Sequence, residues 1–218
     1  MKGVRYTLTT DGPTDVALTP LLSWLLKEQG VAGPISPTWA DLRRLRPPPH
    51  GLLDRIKWAL DLYPCDLLFV HRDAENQPPE RRHAEIRQAM DGLAENHSLP
   101  PVVNVVPVRM TEAWLLFDER VLRRAAGNPN GAMRLDPPRI RDLEDVADPK
   151  ERLQGLLRQA SGLSGRRLKK FSTRGTTPRR ISELLDTFAP LRVLPAFAAL
   201  EDDVARVIRH HGWDRPVA

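Results

Sequence analysis

The chain is expected to adopt an α/β fold: a mostly parallel sheet flanked by helices, followed by a basic, mainly helical C-terminal region. Three observations lead there. Short apolar runs alternate with amphipathic helical patterns through residues 1–126, which is the rhythm of parallel α/β proteins. Two of those runs, 66–71 and 102–108, are almost unbroken in apolarity at strand length, as strands covered on both faces are. After Gly127 the pattern changes to loops rich in Asn, Pro and Gly between further helical stretches. The expected division is an α/β core over 1–126 and a helical extension over 127–218 packed on it.

Each element has its own signal. Val4, Tyr6, Thr7 and Thr9 give a β-branched and aromatic first strand. Asp11-Gly12-Pro13-Thr14-Asp15 turns the chain, and Val16, Leu18, Leu21, Leu22, Leu25 and Leu26 recur at helical spacing as far as Gly30. Pro34 and Pro37, then Pro47, Pro48 and Pro49, mark a connection with one short element near 39–45. A second helix is expected over 50–62, a buried strand over 66–71 and a polar-faced helix over 79–96. Next come a buried strand over 102–108 and a helix over 112–126 capped by Thr111. Further helices are expected near 150–160, 178–188 and 196–211.

Length and composition exclude several classes. A chain of 218 residues can bury a sizeable core without a disulfide or a structural metal. A hydrophobic share of 41% and a charged share of 28% exclude disordered and fibrous chains. The one cysteine, Cys65, excludes a disulfide framework and a cysteine-rich zinc cluster. No apolar run approaches the roughly 20 residues that span a bilayer. The opening residues lack the apolar stretch of a signal peptide, so a cytoplasmic location is expected.

Charge is unevenly spread. Residues 150–218 carry 14 Lys and Arg against 7 Asp and Glu, whereas residues 1–149 carry 19 against 21. No acid falls between Glu151 and Glu183, where Arg158, Arg166, Arg167, Lys169, Lys170, Arg174, Arg179 and Arg180 cluster. A polyanionic partner, nucleic acid above all, suits that segment; a solvated basic loop has the same composition.

In an open parallel sheet, function gathers at the carboxyl ends of the strands. Asp11 and Asp15 follow the first strand, Asp73 and Glu75 follow 66–71, and Arg109 and Glu112 follow 102–108. Three strands thus deliver acids to one edge. Such a cluster is costly unless a cation offsets it, and oxygen ligands suit Mg²⁺ or Mn²⁺. Asp15 and Glu112 would equally serve the positive ends of their helices, and Arg109 would hold Glu112 or contact a phosphate. His71 is given no role. The five tryptophans are expected in packing, and His210-His211 at a helix end. There is no GxxxxGK[ST] loop, no GxGxxG after a strand and no GxSxG elbow.

These segments resemble a known pattern. The first strand with Asp11-Gly12-Pro13-Thr14-Asp15 is similar to the opening motif of Toprim domains, usually Glu-Gly-x-Thr-Asp. Leu67-Leu68-Phe69-Val70-His71-Arg72-Asp73-Ala74-Glu75 resembles their strand ending in Asp-x-Asp. Arg109-Met110-Thr111-Glu112-Ala113-Trp114-Leu115-Leu116 and Leu194-Pro195-Ala196-Phe197 resemble segments of small stand-alone Toprim-like proteins, often encoded beside an ATPase in bacterial defence loci. Asp11 stands where that family has Glu, and Glu75 where it has a second Asp. The resemblance implies a Toprim-like fold and Mg²⁺-dependent phosphodiester hydrolysis on nucleic acid. Asp11, Asp73 and Glu75 would hold metal, Asp11 also being the general base, with Asp15, Arg109 and Glu112 beside them. An ATPase partner in an anti-phage system is implied, and a homo-oligomer is allowed. The alternative is a non-catalytic regulatory subunit that docks on the ATPase.

Overall fold

A computed structural model describes residues 3–75, 77–95, 98–171 and 178–215. Four strands, β1 (Val4–Thr9), β2 (Ile35–Trp39), β3 (Leu67–His71) and β4 (Val102–Val105), form one sheet in the order β2-β1-β3-β4. Every neighbouring pair is parallel, with Leu8 facing Trp39 on one side and Phe69 on the other. Parallel pairing puts all four carboxyl ends at one edge.

The sheet is covered on both sides. On one face, Tyr6, Leu8, Phe69 and Val105 pack with the apolar stripe of α1 (Leu18–Glu28) in a cluster that continues through α5 (Pro149–Ala160), α7 (Pro178–Leu184) and α8 (Pro195–His211). On the other face, Leu68 and Val70 meet Ile56 of α2 (Gly51–Leu62) and Ile86, Ala89 and Leu93 of α3 (Pro79–Ala94). Burial on both faces explains the apolar run of β3, which is buried at all five positions. Residues from both halves of the chain share the larger core, from Val4 to Ile208.

Several boundaries differ from expectation. β2 lies where a proline-marked connection was expected; as an edge strand it tolerates Pro37, whose missing N–H removes no interior ladder bond. The first helix opens with a 3₁₀ turn, Pro13–Ala17. The strand expected over 102–108 stops at Val105, although Ala74 N–H still donates to the Pro107 carbonyl at 3.0 Å and Glu75 N–H to that of Arg109 at 3.0 Å. The helix expected over 112–126 is divided into a 3₁₀ turn, Thr111–Leu115, and α4 (Glu119–Ala125). Asp118 caps the new start by accepting from Val121 N–H at 3.0 Å, and Thr111 caps nothing. The basic segment forms a short helix of its own, α6 (Gly165–Lys170), and the helix expected over 178–188 ends at Leu184.

Where β1 and β2 begin, Val4 N–H donates to the Pro34 carbonyl at 2.9 Å, and a Cβ on Gly3 would lie 2.7 Å from that oxygen. Gly3→Ala is therefore expected to cost about 1–3 kcal/mol, read as a lower urea midpoint at unchanged slope.

Candidate metal centre

β3 ends in His71, a polar side chain closing an apolar strand, and the fold buries it completely beside two carboxylates. His71 Nε2 lies 3.0 Å from Asp73 Oδ1 and 3.2 Å from Thr111 Oγ1. Its Nδ1 lies 3.6 Å from Asp15 Oδ2 and has no hydrogen-bond partner. Asp15 comes from the 3₁₀ turn after β1, where it accepts from Gly12 N–H at 3.1 Å. Asp73 also accepts from Thr111 N–H at 3.1 Å, which ties the ends of β3 and β4 together. One ligand atom from each of Asp15, His71 and Asp73 lies within 4.8 Å of the others, so the cluster could hold a metal ion.

The electrostatics of the cluster are those of acids buried around one imidazole. Burial pushes the Asp15 carboxyl above the usual carboxylate range, helped by Asp73 and Asp11, against the pull of His71 and the Gly12 N–H. Glu112, also buried, is pushed up by burial and then by the charges of Asp73 and Asp15. Burial alone would lower the His71 imidazole, but the hydrogen bond to Asp73 and the charges of Asp73, Asp15 and Asp11 raise it. An unpartnered imidazole nitrogen facing a buried carboxylate fits a cation, which would satisfy the nitrogen and offset the acids together.

The expected site residues divide into two groups. Asp15 and Asp73 join the buried cluster, and Glu112 feels their charge from the turn after β4. Asp11 does not join. Its carboxylate is held between Arg55 Nη1 of α2 at 2.5 Å and Arg72 Nε at 2.8 Å. Glu75 sits in the left-handed region at φ 56° with its side chain 61% exposed, 3.4 Å from Arg82 Nη2 of α3. Arg109 is half-buried and its carbonyl accepts from Glu75 N–H at 3.0 Å. Arg55 and Arg82, which no motif marked, rim this edge with Arg72, and the three share the acids Asp11, Glu75 and Glu85.

The basic extension reaches the same edge. α7 packs against both the Pro13–Ala17 turn that carries Asp15 and the Thr111–Leu115 turn that carries Glu112. Arg179 and Arg180 begin that helix, exposed, with Glu183 3 to 4 residues on at 2.8 and 3.9 Å. Arg166, Arg167, Lys169 and Lys170 are exposed on α6, and Arg174 lies outside the described residues.

Fold and site together define an α/β protein with a buried Asp–His–Asp cluster at the carboxyl edge of a parallel sheet. Comparison with family models, curated proteins and solved structures finds no match to this chain. Among the described residues no helix is long and apolar enough to cross a membrane.

Proposed function

We propose that the chain is a metal-dependent phosphodiesterase acting on nucleic acid, with Asp15, His71 and Asp73 as the metal ligands. The observation that carries this reading is the buried, unpartnered His71 Nδ1 beside Asp15 at the shared end of two adjacent central strands. The imidazole in the donor set favours Mn²⁺ over the oxygen-seeking Mg²⁺. A bound divalent ion would neutralise charge at the scissile phosphate and make a water more acidic. The protein's own groups have complementary tasks. Glu112, buried in the turn after β4 and raised by burial and by the charges of Asp73 and Asp15, would serve as the acceptor of a proton from an attacking water. The Arg55, Arg72 and Arg82 rim and the α6 and α7 cations would grip the phosphate backbone without reading sequence. The Toprim resemblance supports the same chemistry and proposes the bacterial defence setting with an ATPase partner.

Asp73→Asn keeps an acceptor for Thr111 N–H while removing the charge. Cleavage of plasmid, single-stranded DNA and RNA with Mn²⁺ or Mg²⁺ is expected to fall at least about a hundredfold in this variant. Wild-type rates in a folded Asp73→Asn protein would overturn the assignment. A second reading, a non-catalytic subunit docking on an ATPase, draws on Asp11 being held by two arginines and Glu75 by Arg82. It expects metal binding without cleavage by wild-type protein on any of these substrates.

A further inference from the structure

We propose that the cleft between the end of β1 and the β2–α2 connection binds one unstacked nucleotide of a single strand, with Trp39 as its base platform. The proposal rests on the nucleic-acid reading above and names its substrate as single-stranded. The cleft, about 210 Å³ and open to solvent, is lined by Asp11, Gly12, Trp39, Arg43, Pro49 and Arg55 among others. It adjoins the metal cluster through one loop, since Gly12, which lines it, is also the residue whose N–H holds Asp15.

Trp39 closes β2, so the parallel sheet delivers its indole to the same edge as the acids. The ring is held in place: Nε1–H donates to Thr10 Oγ1 at 3.0 Å, and that hydroxyl donates to the Gly12 carbonyl at 2.8 Å. A fixed aromatic ring can receive a base without ordering itself first. What lies over the ring is the Arg43 guanidinium, 5.2 Å from its centre. Arg43 is 61% exposed and paired with Asp41, two residues away, through Nε at 2.7 Å and Nη2 at 2.6 Å. Water competes for an exposed pair even in this two-point geometry, so a base can displace the guanidinium from the indole and bring it toward the adjoining phosphate. Pro48 and Pro49, fixed in φ by their rings, also line the cleft. Arg55, which also lines the cleft, supplies a second cation whose Nη1 now meets Asp11 Oδ1; a phosphate oxygen can take the place of that carboxylate oxygen. Duplex DNA keeps its bases stacked and has no free face to give the indole.

The test uses the full chain in EDTA, so that nothing is cleaved, and fluorescence anisotropy with an eight-nucleotide oligothymidine and a hairpin duplex. Trp39→Leu is expected to weaken single-strand binding about tenfold, Trp39→Phe to leave it within about threefold, and neither to change duplex binding. Should Trp39→Leu fail to fold, wild-type protein with an oligomer carrying abasic sites makes the same comparison, and about tenfold weaker binding is again expected. Thymidine monophosphate at millimolar concentration should compete poorly, whereas strong competition would identify a free nucleotide as the ligand and overturn the strand assignment. Single-strand binding that is indifferent to both Trp39 and the abasic sites would overturn this inference while leaving the nucleic-acid reading in place. Binding of neither strand nor hairpin would overturn both.

Discussion

Phe197→Ala should lower the stability of the fold by about 3–5 kcal/mol, a large fraction of the roughly 5–15 kcal/mol that holds a domain together. Phe197 is fully buried near the start of α8, and its ring meets Trp114 edge-on with centres 5.5 Å apart. Trp114 lies in the Thr111–Leu115 turn, whose first amide holds Asp73, and is itself part of the larger core. The substitution therefore removes core volume and loosens the turn that ties β4 to the Asp15–His71–Asp73 cluster. For a chain of this size, about 2–4 °C per kcal/mol converts the loss into a melting point roughly 6–20 °C lower. Val193→Ala, at a position 66% exposed, should stay within about 0.5 kcal/mol of wild type. A Phe197→Ala loss below about 1 kcal/mol would mean that the C-terminal helix is dispensable to the core.

Much of the fold was legible because its signals are local. β1, β3 and β4, and α1 to α3, follow from apolar periodicity, and the three helices expected after Gly127 are present, two starting one residue early and one ending four residues early. β2 was hidden because Pro37 reads as a breaker, and only a position at the sheet edge makes it harmless. The run Ala113, Trp114, Leu116, Phe117 has helical spacing, yet all of 111–116 is buried, so no solvent face selects a regular helix. There the tertiary bond from Thr111 to Asp73 and the cap at Asp118 decide the local structure.

The site was legible to the extent that strand order alone determines it. Asp15, Asp73 and Glu112 lie where acids after parallel strands must lie. His71 was passed over, although a polar residue ending an otherwise apolar buried strand was itself a signal: burying it requires partners. Glu75 was expected at the metal but lies exposed beside Arg82, on a left-handed backbone that is uncommon for glutamate and that nothing in the sequence announces. The arginines that hold Asp11 come from α2 and from the residue after His71, and only the packing of α2 beneath the sheet edge brings them together.

The metal-free protein should melt at a higher temperature at pH 6 than at pH 8, and a divalent ion should remove most of that difference. Asp15, Glu112 and His71 all hold a proton more tightly folded than unfolded: burial raises the two carboxyls, and Asp73 with its neighbours raises the imidazole against burial. The folded state thus binds more protons, and stability falls as pH rises. For the carboxyls the fall begins above about pH 4 and for His71 near pH 6.5, and each ends above the raised folded value. A metal binds the deprotonated groups, so its effect grows with pH. At a hundred times its dissociation constant it adds about 2.7 kcal/mol, some 5–11 °C at the conversion above. Asp15→Asn keeps an acceptor for Gly12 N–H but removes a buried charge. It should raise the metal-free melting point at pH 8, flatten the pH dependence and weaken Mn²⁺ binding at least about tenfold by calorimetry. These changes oppose one another in sign, a pairing that simple damage to the fold cannot produce, since damage lowers both. An Asp15→Asn protein that still gains the full Mn²⁺ increment would place the metal centre elsewhere.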